Sequence, residues 1–344
     1  MRTNKRIFAV LTGGGTAGHV LPVLEIALEL ERHGIDQNEL LFVGTKRGVG
    51  IEMVREKGFE CAALSGRGIS GKNPVKLAVS IGQLGLGVLQ ALIIIATRRP
   101  RVVFTSGGYG GLTCALASLV FRVPLVVFEP NAVAGRTNKI VANWAKKSCV
   151  FFDTPNLPRQ ENVGTPLREE ILEWSPLVTM DSEPNIPVIQ SGPALVDLRD
   201  KLRSNARLQL SIDRSAFCAL VVGGSLGAKR INESILEFLE KGADEIEGAL
   251  VVRHVVGDRD WEQYLIRLRS VVDNASGMLE AQWGKDKVSI RIGDLLYIAV
   301  RFEAQMALAQ ASANVAISRA GAATVAELCA SATPCILVPR KATF

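Results

Sequence analysis

Residues 11–22 read Leu-Thr-Gly-Gly-Gly-Thr-Ala-Gly-His-Val-Leu-Pro, a glycine-rich stretch with a single imidazole at His19. Glycines let backbone come close to a ligand, and a helix that starts among them gathers free N–H groups at its positive end. An imidazole at the mouth of such a helix is favoured as the neutral ring, which accepts a proton from a hydroxyl. The chemistry suggested is proton abstraction beside a bound polar ligand. Turns of this kind also serve only for tight packing in α/β proteins, and the spacing is not the full dinucleotide signature.

The pattern recurs at residues 107–111 (Gly-Gly-Tyr-Gly-Gly), 223–227 (Gly-Gly-Ser-Leu-Gly) and 318–324 (Ser-Arg-Ala-Gly-Ala-Ala-Thr), each time after an apolar run. Four such turns, shared between two halves, point to a large anionic or sugar ligand. Ser225 is placed to give its hydroxyl to a phosphate cradled by backbone N–H groups, the alternative being a helix N-cap without ligand. Glu327 lies one to two turns into the helix after Gly321, where a carboxylate accepts hydrogen bonds from ribose hydroxyls; the alternative is a solvated helix carboxylate. Glu129, Asn131, Thr137 and Asn138 suit sugar hydroxyls or, equally, loop capping. His33 and His254 read as structural. With no Asp-x-Asp at a strand end, a departing diphosphate would be stabilised by helix N-termini and backbone amides and not by a metal.

The elements that must position these residues follow from periodicity. Strand-like runs at 6–12, 40–44, 59–64, 101–105, 124–128 and 147–152 alternate with helical stretches, which predicts a doubly wound parallel sheet. A stretch rich in Pro, Asn and Gly at 153–166 reads as a linker, and the rhythm restarts with strands at 216–222, 249–256, 288–292, 313–318 and 334–338. Two domains are expected, 1–165 and 166–344, with a ligand cleft at the strand carboxyl ends. Residues 174–198, rich in proline, read as an irregular insertion. The last strand is followed by no further helix, so the second domain is expected to be truncated.

At 344 residues the chain is long enough for two cores, and 48% hydrophobic residues point to buried sheets. A net charge of +6 without a basic stripe argues against nucleic acid. Six scattered cysteines without a C-x-x-C pair read as buried free thiols, and with three histidines a zinc site is not expected. The N-terminus does not read as a signal peptide, which suggests a cytosolic protein. Residues 77–97 carry no charge and are flanked by Lys72, Lys76, Arg98 and Arg99. Glycines and glutamines dilute this run, so a crossover helix with an apolar face on a membrane surface is expected in place of a span.

Six blocks in order resemble the MurG-type glycosyltransferases (glycosyltransferase family 28): GGGTAGHVLP (13–22), SGGYGG (106–111), EPNAVAGRTNK (129–139), VGTPLR (163–168), VVGGSLGAKRINE (221–233) and SRAGAATVAEL (318–328). That family moves N-acetylglucosamine from UDP-GlcNAc to a polyprenyl-diphosphate-linked muramyl-pentapeptide, lipid I to lipid II, in the peptidoglycan synthesis that serves cell shape and division. The resemblance implies the GT-B fold, two Rossmann-like domains facing a cleft, with acceptor and membrane on the first and UDP-sugar on the second. It implies an inverting transfer to the muramyl C4 hydroxyl, independent of metal and cofactor, by a peripheral protein at the cytoplasmic face of the inner membrane. By matching position, His19 is the catalytic base, and Thr16, Gly18, Tyr109, Asn131 and Asn138 form the acceptor side. Thr16, Ala17, Gly18, Asn131, Arg168, Ser225, Ala322, Thr324 and Glu327 bind UDP-GlcNAc.

Pro130 and Thr165 depart from the family pattern, which has Gln and Asn there, and a His-Gln segment that contacts the donor sugar is absent from the sequence. Two other functions follow from these features. A UDP-sugar transferase acting on diacylglycerol has similar turns, and a non-catalytic membrane-associated module fits a chain without the donor-sugar segment. A nicotinamide-dependent oxidoreductase fits the turn spacing least.

Overall fold

The computed structural model describes residues 6–14, 17–45, 49–66, 74–179, 188–189, 192–224, 227–241, 243, 246–273 and 279–339. The chain divides into two compact units, Met1–Pro166 and Leu167–Phe344.

The first unit alternates strand and helix: β1 (Ala9–Thr12), α1 (Ala17–Arg32), β2 (Leu40–Thr45), α2 (Val49–Glu56), β3 (Glu60–Leu64), α3 (Pro74–Arg98), β4 (Val102–Thr105), α4 (Gly108–Val120), β5 (Leu125–Glu129), α5 (Arg136–Val141), β6 (Lys147–Val150) and β7 (Gln160–Asn162). The sheet runs β3-β2-β1-β4-β5-β6-β7, with every neighbouring pair parallel. β1 is buried at every position, because helices cover both faces of a parallel sheet. Its side chains still alternate: Val10 joins Val103, Ala91, Ile95 and Cys114 on one face, whereas Ala9 and Leu11 join Val23, Leu24 and Phe42 on the other. The 153–166 stretch, expected as a linker, contributes edge strand β7, whose three residues are all exposed and carry no apolar signal.

The charge-free run is the 25-residue helix α3. Its Val79–Arg98 part is long and apolar enough to cross a bilayer by length and composition. Ala91 and Ile95 are buried in the unit's core, so one face is committed to packing. The opposite stripe, Val79, Leu86, Leu89 and Ile93, faces outward, with exposures of 47–56%. At the seam with α4, a Cβ on Gly87 would collide with the Tyr109 hydroxyl and meet Thr113 Cγ2 at 3.2 Å, so only glycine permits this approach.

The second unit comprises α6 (Glu169–Glu173), β8 (Val178–Thr179), β9 (Val188–Ile189), α7 (Pro193–Gln209), β10 (Phe217–Val222), α8 (Lys229–Lys241), β11 (Leu250–Val255), α9 (Trp261–Asp273), β12 (Leu279–Trp283), β13 (Lys287–Ile292), β14 (Leu295–Val300), α10 (Met306–Ser312), β15 (Val315–Arg319), α11 (Ala322–Ala330) and β16 (Cys335–Val338). Its sheet runs β12-β13-β14-β11-β10-β15-β16, parallel from β14 to β16, with β12 and β13 antiparallel at one edge. Sequence reading found only one strand of the β12–β14 meander. The two-residue turn at Gly293 and Asp294, with Gly293 at φ +53, was the hairpin signal to use.

Three further expectations change. The insertion expected at 174–198 ends where α7 begins at Pro193, and β8 pairs with β9 within it. A truncated second sheet is not borne out: this sheet has seven strands, as the first has, with hydrophobic clusters on both faces. Of the cysteines, Cys114 and Cys218 are buried free thiols, whereas Cys329 and Cys335 are exposed, at the end of α11 and the start of edge strand β16.

Candidate functional site

In each sheet the connections reverse direction at one point, and doubly wound folds bind ligands at the strand carboxyl ends there. In the first unit the reversal lies between β1 and β4, which end at Thr12 and Thr105. In the second it lies between β10 and β15, which end at Val222 and Arg319. The four glycine turns follow these four strands, so each unit holds one pair.

In the first unit the two turns interlock. Gly108, at φ +77, starts α4 so close to Gly14 that a Cβ on it would lie 2.5 Å from the Gly14 Cα. His19 sits in the first turn of α1, half-buried, with Nδ1 3.1 Å from the Ser106 carbonyl oxygen. That oxygen only accepts, so Nδ1 carries a proton, and in the neutral ring Nε2 is the nitrogen with the lone pair. Among the described residues Nε2 has no partner. Ser106 Oγ donates back to the His19 carbonyl at 2.7 Å, which clamps the helix mouth to the end of β4. Beside these turns a shallow groove is lined by Gly13, Gly14, Val20, Phe42, Thr45 and Ile51.

Three other first-unit residues, Tyr109, Glu129 and Asn138, turn inward. Tyr109 was expected on the acceptor side; its ring is buried and its hydroxyl donates to the Ser65 and Gln83 carbonyls at 2.8 and 2.6 Å, tying α4 to α3 and the end of β3. The residue that sequence reading undervalued is Glu129, 1% exposed at the end of β5. One of its oxygens accepts from the Asn131 N–H and side-chain amide, the other from the Gly135 N–H and Asn138 Nδ2. The carboxylate therefore organises the 129–138 loop and does not face a sugar. Asn138 is buried and also donates to the Phe128 carbonyl, while its Oδ1 has no partner among the described residues. Asn131 stays exposed. Gly18 is exposed in α1; Thr16 lies outside the described residues, as does the side chain of Ala17.

In the second unit, Glu327 in α11 accepts from Arg168 Nη2 at 3.0 Å and from Gln310 Nε2 at 3.2 Å, one bond to each oxygen. Arg168, expected at the phosphates, is turned to this carboxylate and lies 3.7 Å from Glu170. Gln310 carried no sequence signal and is joined to Glu327 only by the fold. Gly321 immediately precedes α11, so Ala322 and Thr324 belong to its first turn. Ser225 lies outside the described residues. On either side of it, Gly223 and Gly227 are pressed against neighbouring backbone: a Cβ on Gly223 would strike Ala228 N.

His254 is fully buried within β11, as its structural reading requires, with Nδ1 2.8 Å from the Tyr297 hydroxyl and Nε2 3.0 Å from Asn232 Oδ1. Burial pushes its pKa down to about 3, so this ring is neutral and unavailable. No group of acidic, histidine or cysteine residues among the described residues has the arrangement of a metal site.

The chain matches the glycosyltransferase family 28 N-terminal domain over residues 9–150 and the family's C-terminal domain over 218–344. It is 30% identical over 334 residues to the UDP-N-acetylglucosamine--N-acetylmuramyl-(pentapeptide) pyrophosphoryl-undecaprenol N-acetylglucosamine transferase of Geotalea uraniireducens (strain Rf4), covering 96% of this chain and 77% of that protein. The enzyme of the same name from Natranaerobius thermophilus is 28% identical over 331 residues, with 96% and 78% covered. Among solved structures, Acinetobacter baumannii MurG superposes with a TM-score of 0.62 at 22% identity, over 98% of this chain and 79% of that one. The glycosyltransferase SnogD from Streptomyces nogalater gives 0.53 at 16% identity, over 98% and 84%.

Proposed function

As the chain belongs to glycosyltransferase family 28, we propose that it transfers N-acetylglucosamine from UDP-GlcNAc to the C4 hydroxyl of a lipid-linked muramyl-pentapeptide, forming lipid II for peptidoglycan. The observation that carries the mechanism is the His19 ring, whose Nδ1 is tied to the Ser106 carbonyl so that Nε2 is the basic nitrogen.

His19 Nε2 takes the acceptor hydroxyl proton as that oxygen attacks the anomeric carbon. The bond from the anomeric carbon to the diphosphate oxygen breaks, and UDP leaves with the electron pair from the opposite face, which inverts the centre. The N–H groups at Gly223, Gly224 and the start of α11 are suited to the growing diphosphate charge, so no metal is required. Each Glu327 oxygen already accepts one bond and has a lone pair left for a ribose hydroxyl, with Arg168 and Gln310 fixing the carboxylate. In this reading Asn131, exposed in the 129–138 loop, contacts the sugars, and Asn138 holds that loop.

The outward stripe of α3 supports peripheral docking on the cytoplasmic face of the membrane. Near its end Leu119, Val120 and Phe121 are also exposed, and Arg99, Arg101 and Arg122 supply exposed cations.

UDP release measured with lipid I and with diacylglycerol decides the acceptor. Turnover is expected with lipid I; turnover with diacylglycerol alone overturns the assignment. UDP-GlcNAc is also expected to raise the melting temperature, and no shift would favour a non-catalytic module.

A further inference from the structure

A buried polar chain runs through the second unit to the β10–α8 turn. The Tyr264 and Tyr297 hydroxyls are 2.6 Å apart, and the chain continues through His254 to Asn232. Asn232 Nδ2 then donates to the Val256 carbonyl and to Asp260 Oδ2, each at 3.2 Å. Only one set of proton positions satisfies every link. Val256 O and the Asp260 carboxylate are acceptors, so the Asn232 amide nitrogen must face them and its oxygen must face His254. Nε2 of His254 therefore carries the ring proton, Nδ1 accepts from Tyr297, and Tyr297 accepts from Tyr264.

The two acceptors at the end of this chain are also the atoms nearest to Gly227. Gly227 has φ +81, and a Cβ on it would collide with the Val256 carbonyl and come 2.9 Å from Asp260 Oδ2. Its N–H donates to the Gly224 carbonyl at 2.9 Å, closing the turn. We propose that Tyr297, His254 and Asn232 are positioning residues for the donor: they aim one amide that holds Val256 and Asp260 against Gly227, fixing the backbone at Gly227 and its bond to Gly224, where the diphosphate of UDP-GlcNAc is received. The inference rests on the donor reading above and adds the device that places Gly227. None of the three touches the substrate; they act through the turn.

The test uses the full chain and UDP as probe. Asn232→Asp keeps the size but turns an oxygen toward Asp260 and Val256; Tyr297→Phe removes the donor to His254. By calorimetry, UDP affinity is expected to fall at least tenfold in Asn232→Asp and severalfold in Tyr297→Phe. KM for UDP-GlcNAc should rise in step, with kcat within threefold and acceptor KM unchanged, a split that simple loss of stability does not produce. Ring-nitrogen NMR should show His254 as the Nε2–H tautomer in the wild type and a changed signal in Tyr297→Phe. If Asn232→Asp does not fold, Tyr297→Phe decides. Affinity within twofold of the wild type in the folded variants overturns the proposal, whereas a wild type that binds no UDP overturns the donor reading instead.

Discussion

The two central histidines sit in similar sheets and have opposite fates. His19 lies just past a strand end, half-buried, with one nitrogen tied to a carbonyl and the other without a partner among the described residues. His254 lies inside a strand, fully buried, with both nitrogens engaged. The difference teaches that position along the strand decides the chemistry of an imidazole. Beyond the carboxyl end one nitrogen is left open, as the proposed function requires, and within the strand the ring becomes a structural link whose burial keeps it neutral.

The comparison breaks most readily at His19. His19→Ala is expected to lower turnover at least about a hundredfold, with UDP affinity little changed; an unchanged rate in a UDP-release assay would return His19 to a packing role. At His254 the expected signature is in stability. Its folded pKa of about 3 lies below the unfolded value near 6.5, so its contribution is complete above about pH 6.5 and is lost as pH falls. Below that point each pH unit costs up to ~1.4 kcal/mol, down to about pH 3. Urea unfolding at pH 6.5 and 5 should show this extra loss in the wild type and not in His254→Gln; equal slopes would mean the ring is not held neutral. The smallest effect is expected at Tyr109. Tyr109→Phe leaves two carbonyls without their donor and should cost about 1 kcal/mol of stability with acceptor KM unchanged. A raised KM at full stability would put the hydroxyl on the acceptor.

Much of this was legible in the sequence. Buried parallel strands are apolar at nearly every position, so β1, β2, β4, β5 and β10 stood out, and glycines at their ends marked both reversal points. Partners distant in sequence were not. Nothing near Tyr109 announces Ser65 and Gln83, and nothing near Gly227 announces that Val256 and Asp260 will press on it. At Glu129 sugar contact and loop capping stayed open in the sequence, because a carboxylate after a strand looks the same whether it faces a ligand or the four N–H donors of its own loop; the fold selects the capping role. In the β12–β14 meander only β13 was read as a strand: β12 is polar and lacks a continuous apolar run, whereas β14 has that run and was passed over because the Gly293–Asp294 turn before it was not read as a hairpin.

The seam at Gly87 has a practical consequence. Because Tyr109 pins the backbone of α3, the helix cannot roll its oily stripe inward when no lipid is present. In aqueous buffer that stripe is a standing liability, and the protein should need detergent to stay monodisperse at high concentration. The same rigidity offers a remedy: polar substitutions at Leu86, Leu89 and Ile93 lie on the face away from the seam, so they should yield a detergent-free form with its glycine turns undisturbed.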